Sequence, residues 1–278
     1  MGRLMDATKM PARMLAGSPN PKARFYVDPD RLTEDRAILT GSAYHHLRNV
    51  RRLQPGDELI VFNGAGREAF GVLESFQGDS ALVRVLGDTA ASTESSLDLT
   101  LAPCLAKGKK MDLVVEKTIE LGVNRIAVVV SSRSIGHLSE EASLHRVERW
   151  RRIAVSAAEQ AGRTHVPVVE RIQRIEDLLK SKPEDALGLA FTLGADPDPP
   201  ATLRQQFPDA RKVVAVIGPE GGLTAEELDL ARSHGFKIAG LGPRVLRTET
   251  AAIVTVTICQ HLWGDLGRRP PSAQRSAI

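Results

Sequence analysis

Two stretches of this chain share one grammar, and that grammar restricts the fold more than any compositional figure. The first runs Val213-Val214-Ala215-Val216-Ile217 into Gly218-Pro219-Glu220-Gly221-Gly222. The second runs Ile238-Ala239-Gly240-Leu241 into Gly242-Pro243-Arg244-Val245-Leu246-Arg247-Thr248-Glu249-Thr250-Ala251. Each reads as an apolar strand, a glycine-bearing loop and then a helix. Thr224 and Glu227 stand at capping-box spacing, which predicts a helix starting near Ala225. Residues 251–262 are densely apolar and read as a buried helix. Two such units in series predict neighbouring parallel strands whose loops open at the same sheet edge. The carboxyl edge of an open parallel sheet is where ligands sit.

The loops themselves limit what that ligand is. Glycine permits close backbone approach, while Pro219 and Pro243 stiffen each loop without adding a donor. Neither loop has the G-x-G-x-x-G spacing of a dinucleotide site or the G-x-x-x-x-G-K-[ST] spacing of a triphosphate site. Bare backbone N–H and C=O groups suit the flat edge of a purine. Ordinary βα turns account for one such loop easily. They account less well for a second that crowds Arg247, Glu249 and two threonines together.

The remainder of the chain supports an α/β fold preceded by a small β domain. Strands are predicted at 97–103, 125–130, 166–169, 187–191, 213–217 and 237–241. Between them, Met111, Val114, Val115, Thr118 and Ile119 recur at helical spacing and Gly122 stops that helix. Val147, Trp150, Ala154, Ala157 and Ala161 mark one face of a longer helix. Alternation of this kind predicts a parallel sheet covered by helices. Upstream, short strands at 25–27, 37–40, 58–62, 68–76 and 81–86 are punctuated by turn signals. They predict a small β-barrel with one short helix, capped by Ser42. The expected organisation is a disordered extension (1–22), the β-barrel (23–88), a polar linker (89–96), the α/β domain (97–266) and a disordered tail (267–278).

Composition narrows the function classes. Of 278 residues, 42% are hydrophobic and 26% charged, with a net charge of +3, which permits an RNA partner without demanding one. Aromatic residues make up only 4%, which argues against broad stacking platforms for single strands. Cys104 and Cys259 are too few for a disulfide framework or a zinc site and fit a reducing, cytoplasmic setting. No signal peptide and no membrane-spanning run is legible. No metal is expected, because His45 and His46 lack a third ligand nearby and no acidic cluster stands out.

Arg48, Arg51 and Arg52, one turn beyond His45 and His46, suit phosphate contacts that position RNA without reading its sequence. A solvated helix face, which charge runs usually are, is the more ordinary account of the patch taken alone. Lys107, Lys109 and Lys110 flank Gly108 after a strand end and carry the same two readings, and Arg133 follows another strand end. Isolated His137 and His165 read as ordinary histidines. Gly162 suggests a helix C-cap between Gln160 and Arg163.

With these residues in view, the chain resembles the RsmE family of 16S ribosomal RNA uridine-N3 methyltransferases, of the SPOUT class. The resemblance rests on the run IGPEGG from Ile217 and LGPRVLRTETA from Leu241. It extends upstream through Lys107 to Asp112, Glu116 to Val123 and Glu159 to Arg163, and covers roughly residues 23–266. It implies a trefoil knot at the chain end and a PUA-like RNA-binding amino-terminal domain. It also implies a homodimer acting on the 30S subunit near the decoding centre, with S-adenosyl-L-methionine as cofactor.

The same resemblance assigns the cofactor pocket to Gly218, Pro219, Glu220, Gly221, Gly222, Leu241, Gly242, Leu246, Arg247 and Thr248, with Leu193 as a third-loop contact. It raises Arg24, His46, Arg48, Arg51, Arg52, Lys107, Lys109, Lys110, Gln160 and Arg163 to candidate RNA contacts. Uridine N3 is a poor nucleophile until deprotonated. A guanidinium beside the uracil oxygens would stabilise that charge, and Arg247 is the candidate. Glu249 is placed to accept the proton or orient Arg247; a structural Arg–Glu pair is the plainer account. Two rival functions stay open: an assembly factor that keeps the fold without turnover, and a methyltransferase acting on another RNA position.

Overall fold

Apolar residues at every second position dictate strands with one buried face, and the amino-terminal third is built this way. The computed structural model describes residues 21–89, 93–106, 108–134, 139–194 and 197–267. The expectations for 1–20, for 90–92 of the linker, for Lys107 and His137 and for 268–278 therefore lie outside the described residues. The chain divides into two compact units, 1–90 and 91–278.

The first unit holds β1 (Arg24–Tyr26), β2 (Arg36–Thr40), α1 (Gly41–His45), β3 (Glu58–Phe62), β4 (Glu68–Gln77) and β5 (Ser80–Asp88). They form one sheet in the order β1-β3-β4-β5-β2. The β1–β3 pair is parallel and the others are antiparallel. Phe25, Leu39, Leu59, Val61, Leu73 and Val83 turn inward to form its core, each fully buried leucine or valine being worth about 1.5–3 kcal/mol before chain entropy is charged. No ladder joins β1 to β2, the two edge strands of the expected small β-barrel. Ser42 is not the helix cap that its position predicts. Helix α1 starts at Gly41, whose φ of +55° makes the turn, and Thr40 precedes it without a side-chain cap. A π-helical turn, His46–Val50, then continues α1.

The second unit alternates strand and helix as expected. Its elements are β6 (Asp98–Pro103), α2 (Lys110–Glu120), β7 (Arg125–Ile126), β8 (Val129–Val130), α3 (Glu140–Gln160), β9 (Val168–Val169), β10 (Gln173–Arg174) and α4 (Ile175–Lys180). There follow β11 (Leu187–Phe191), α5 (Pro200–Gln206), β12 (Lys212–Ile217), α6 (Ala225–Ser233), β13 (Phe236–Ala239) and α7 (Thr248–Leu262). Six strands make a fully parallel sheet in the order β13-β11-β12-β6-β7-β9.

Odd-numbered residues of β6, β11 and β12 (Leu99, Leu101, Leu189, Val213, Ala215) pack on one side with α2, α3 and α7. Even-numbered ones (Ala102, Ala190, Val214, Val216) pack on the other with α4 and α6. Both faces are covered, which is why these strands read as unbroken apolar runs instead of alternating ones.

Two expectations for this second unit are corrected. The two glycine-loop strands are not neighbours, because β11 lies between β12 and β13 and pairs with both. The expected strand 125–130 is two: β7 joins the main sheet, whereas β8 pairs with β10 in a separate two-stranded ladder.

Candidate active site

Parallel strands point all their carboxyl ends the same way, so the loops after β11, β12 and β13 meet at one edge. There they enclose a cavity of about 380 Å³, within the range of small-molecule sites. The middle strand contributes Leu193, whose side chain stands half exposed at the cavity wall. The β12 loop contributes Gly218, Pro219, Glu220, Gly221 and Gly222. The β13 loop and the start of α7 contribute Leu241, Leu246 and Thr248. Of the residues assigned to this pocket from sequence, Gly242 and Arg247 fall outside its wall. Glycine is sterically required at one point in particular. A Cβ on Gly218 would lie 3.0 Å from the Leu223 nitrogen and 3.2 Å from the Gly222 carbonyl carbon, both backbone atoms that yield only if the loop moves.

Local chemistry holds the β12 loop in shape. Thr224 Oγ1 accepts from the Glu227 amide while Glu227 Oε2 accepts from the Thr224 amide, completing the capping box that starts α6. The other oxygen of the buried Glu227 accepts from the Ser132 amide at 2.7 Å and from its hydroxyl at 2.9 Å. One carboxylate thus fixes both a helix start and the loop after β8. From that loop Arg133 reaches back and donates to the Gly221 carbonyl at 2.8 Å, and it lines the cavity. Arg244 and Val245 line it too, Val245 being 83% exposed. These three were not assigned to the pocket from sequence. Arg133 stands some 85 residues before the glycine loop, and only the sheet order brings it there.

A charge cluster sits beside the cavity. Lys110 Nζ lies 2.8 Å from Glu220 Oε1 and 3.6 Å from Glu249 Oε2. Glu220 first, and Glu249 after it, hold the Lys110 ammonium above the usual lysine range. Arg247 is the residue immediately before α7. Its side chain is exposed and has no ion pair with Glu249 among the described residues, so the plainer Arg–Glu pair is not what the structure contains.

The candidate RNA contacts separate into two groups. Arg48 stacks on Tyr44 and Phe76, and with Arg52 it lines a shallow cavity of about 480 Å³. Arg52 is the one non-glycine residue with positive φ among those described, at 53°. Arg51, Lys109 and Gln160 are exposed. Arg24 instead pairs with Glu68 at 2.7 Å and stacks over Phe62, and half-buried His46 packs edge-on against Phe25.

Arg163 is buried, which corrects its assignment as an RNA contact. Ala161 is the C-cap of α3 and Gly162, at φ +71°, follows it in the left-handed conformation that ends the helix, and Arg163 then turns inward. Its guanidinium binds Glu94 at 2.7 Å and the carbonyls of Ile119 and Val123 at the end of α2. Burial works against the Glu94 charge, yet Arg163 and the amide of His165 hold its carboxyl below the usual range.

No group of metal-ligating side chains occurs among the described residues, and none of their helices is long and apolar enough to cross a membrane.

Fold and cavity together are those of an RNA methyltransferase. The model of the RNA methyltransferase domain matches residues 93–260, and that of the RNA methyltransferase PUA domain matches residues 39–86. The chain belongs to the ribosomal RNA small subunit methyltransferase E family. It is 31% identical to the Bacillus subtilis member over 227 residues, covering 80% of this chain and 89% of that one. It is 32% identical to the Synechocystis member over 237 residues, covering 84% and 75%. The Neisseria gonorrhoeae member, solved bound to S-adenosyl methionine, superposes with a TM-score of 0.80 at 32% identity, covering 88% of this chain and 99% of that one.

Proposed function

We propose that this chain methylates N3 of one uridine in 16S ribosomal RNA near the decoding centre of the small subunit, using S-adenosyl-L-methionine. The observation that carries the proposal is the cavity at the carboxyl edge of β11, β12 and β13, with Arg247 and Glu249 at the start of the helix that closes it. Its chemistry fits the cofactor. Backbone groups of the 218–222 loop and of Leu241 suit a purine edge, Leu193 and Leu246 supply apolar wall, and Thr248 and Glu220 supply polar ends. When bound, the cofactor would supply an electrophilic sulfonium methyl group, with its thioether as the leaving group.

The protein's own part is to prepare the base. Arg247, solvent-facing and unpaired with Glu249, stabilises the negative charge that moves onto the uracil oxygens when N3 loses its proton. Glu249, in the first turn of α7 where the helix dipole favours negative charge, accepts that proton. In the amino-terminal unit Arg48, Arg51 and Arg52 contact phosphates and orient the RNA, while Lys109 and Gln160 extend the contact in the catalytic unit. A target base inside a helix is flipped out before reaction. Family resemblance supports a trefoil-knotted chain end, a homodimer and a cytoplasmic site of action.

The test is label transfer from S-adenosylmethionine to 30S subunits lacking their own uridine-N3 methylation. We expect label at a single N3-methyluridine. Arg247→Ala is expected to lower kcat by about 10²–10³-fold while cofactor affinity stays within about threefold. Cofactor binding without transfer to any RNA would support the assembly-factor reading instead, and label on another nucleotide would redirect the target.

A further inference from the structure

Helix α2 opens against the usual rules. Its cap residue is Lys109 without a side-chain cap, and its first residue is Lys110, so two cations sit at the helix end whose dipole disfavours them. Compensation for Lys110 comes from elsewhere. Its ammonium bridges two carboxylates delivered by two other elements, Glu220 from the β12 loop and Glu249 from α7.

Glu249 depends on that bridge. Its side chain is only 13% exposed, and its Oε2 is buried without a hydrogen-bond donor among the described residues. A buried carboxylate oxygen lacking a donor is costly, and the ion pair with Lys110 at 3.6 Å is what offsets it. Glu220, in turn, faces the cavity. The three charges therefore connect the cavity wall to the carboxylate assigned to proton transfer.

We infer that Lys110 is a positioning residue for methyl transfer, its ammonium orienting the Glu249 carboxylate and tying it through Glu220 to the cofactor loop. The inference rests on the methyl-transfer reading above and deepens it. It replaces the earlier assignment of Lys110 as a phosphate contact, because the ammonium is already shared between two carboxylates.

Single-turnover and steady-state transfer to 30S subunits, with cofactor affinity measured by calorimetry, separates the possibilities. Lys110→Met is expected to lower kcat by at least about tenfold, as loss of an oriented proton acceptor does. KM for the subunit and the cofactor Kd should stay within about threefold, and Lys110→Arg should recover most of the rate by restoring the cation. Lys110 is partly exposed, so an unchanged melting temperature serves as the folding control.

Wild-type kcat in Lys110→Met overturns the inference. So does a raised subunit KM with kcat intact, which would return Lys110 to phosphate contact, or a loss of cofactor binding that accounts for the whole defect. If the unmodified enzyme transfers no methyl group while binding cofactor, the methyl-transfer reading fails and this one with it, a result distinct from a normal wild type beside an unimpaired variant.

Discussion

At the residue scale, the chemistry of a side chain follows from its surroundings more than from its type. Burial pushes the thiols of Cys104 and Cys259 up to about 12, far above the ordinary value of 9.0. Both are therefore protonated and inert at neutral pH. Because the folded pKa is raised, their contribution to stability is complete below the unfolded value and is lost as pH rises from about 9 to about 12. Denaturant melts should thus show each thiol losing about 1–2 kcal/mol between pH 8 and pH 10.5. In Cys104→Ala/Cys259→Ala that part of the decline should be absent, and alkylation of the native wild type should occur only through unfolding.

Thr255 gives a second prediction. Its hydroxyl is buried in α7 without a hydrogen-bond partner among the described residues, so Thr255→Val is expected to be neutral or stabilising by about 1 kcal/mol. A clear loss in chemical denaturation would mean that the hydroxyl has a partner after all.

At the scale of elements, short polar bridges do what strand and helix propensity cannot. Glu94 accepts from Arg163 and from the amides of Thr164 and His165, while Arg163 satisfies two carbonyls at the end of α2. The residues before β6 and the ends of α2 and α3 are thereby pinned together. Glu94→Gln strands a buried guanidinium and is expected to cost about 3 kcal/mol at pH 7. The sign of its pH dependence follows from the depressed Glu94 carboxyl. The pair's contribution is present above the unfolded pKa and is lost as pH falls through the folded one, so wild type and variant should converge in acid. A gap that persists undiminished below pH 3 would contradict this account.

Elements also set the limits of sequence reading. The capping box at Thr224 and Glu227 was legible because helix starts are governed by contacts three residues apart. The division of 125–130 into β7 and β8 was not, because which ladder a strand joins depends on partners distant in the chain.

For the molecule as a whole, the division of labour is testable by dissection. The entire cavity lies within 91–278, and each unit has a core of its own. A fragment spanning 91–278 is expected to keep cofactor affinity within about threefold of the full chain, the pocket being complete in it. It should lose most RNA affinity together with the Arg48–Arg52 surface, and the salt dependence of RNA binding should flatten as phosphate contacts are removed. A fragment that binds RNA as well as the full chain, with the same salt slope, would remove the amino-terminal unit from substrate recognition.

What the sequence determined by itself was local: the glycine-loop units, the alternating strands of the first unit, the helix marked by Met111 to Ile119 with its stop at Gly122, and the helix-ending glycine at 162. These follow from side-chain periodicity and from hydrogen bonds between near neighbours, which a linear pattern records directly. The tertiary structure alone decided that β11 runs between the two glycine-loop strands, that Arg163 turns inward to Glu94, and that Lys110 bridges Glu220 and Glu249. Each of those depends on a parallel sheet bringing together loops from distant parts of the chain, and a cation reads the same in sequence whether it will meet solvent, phosphate or a buried carboxylate.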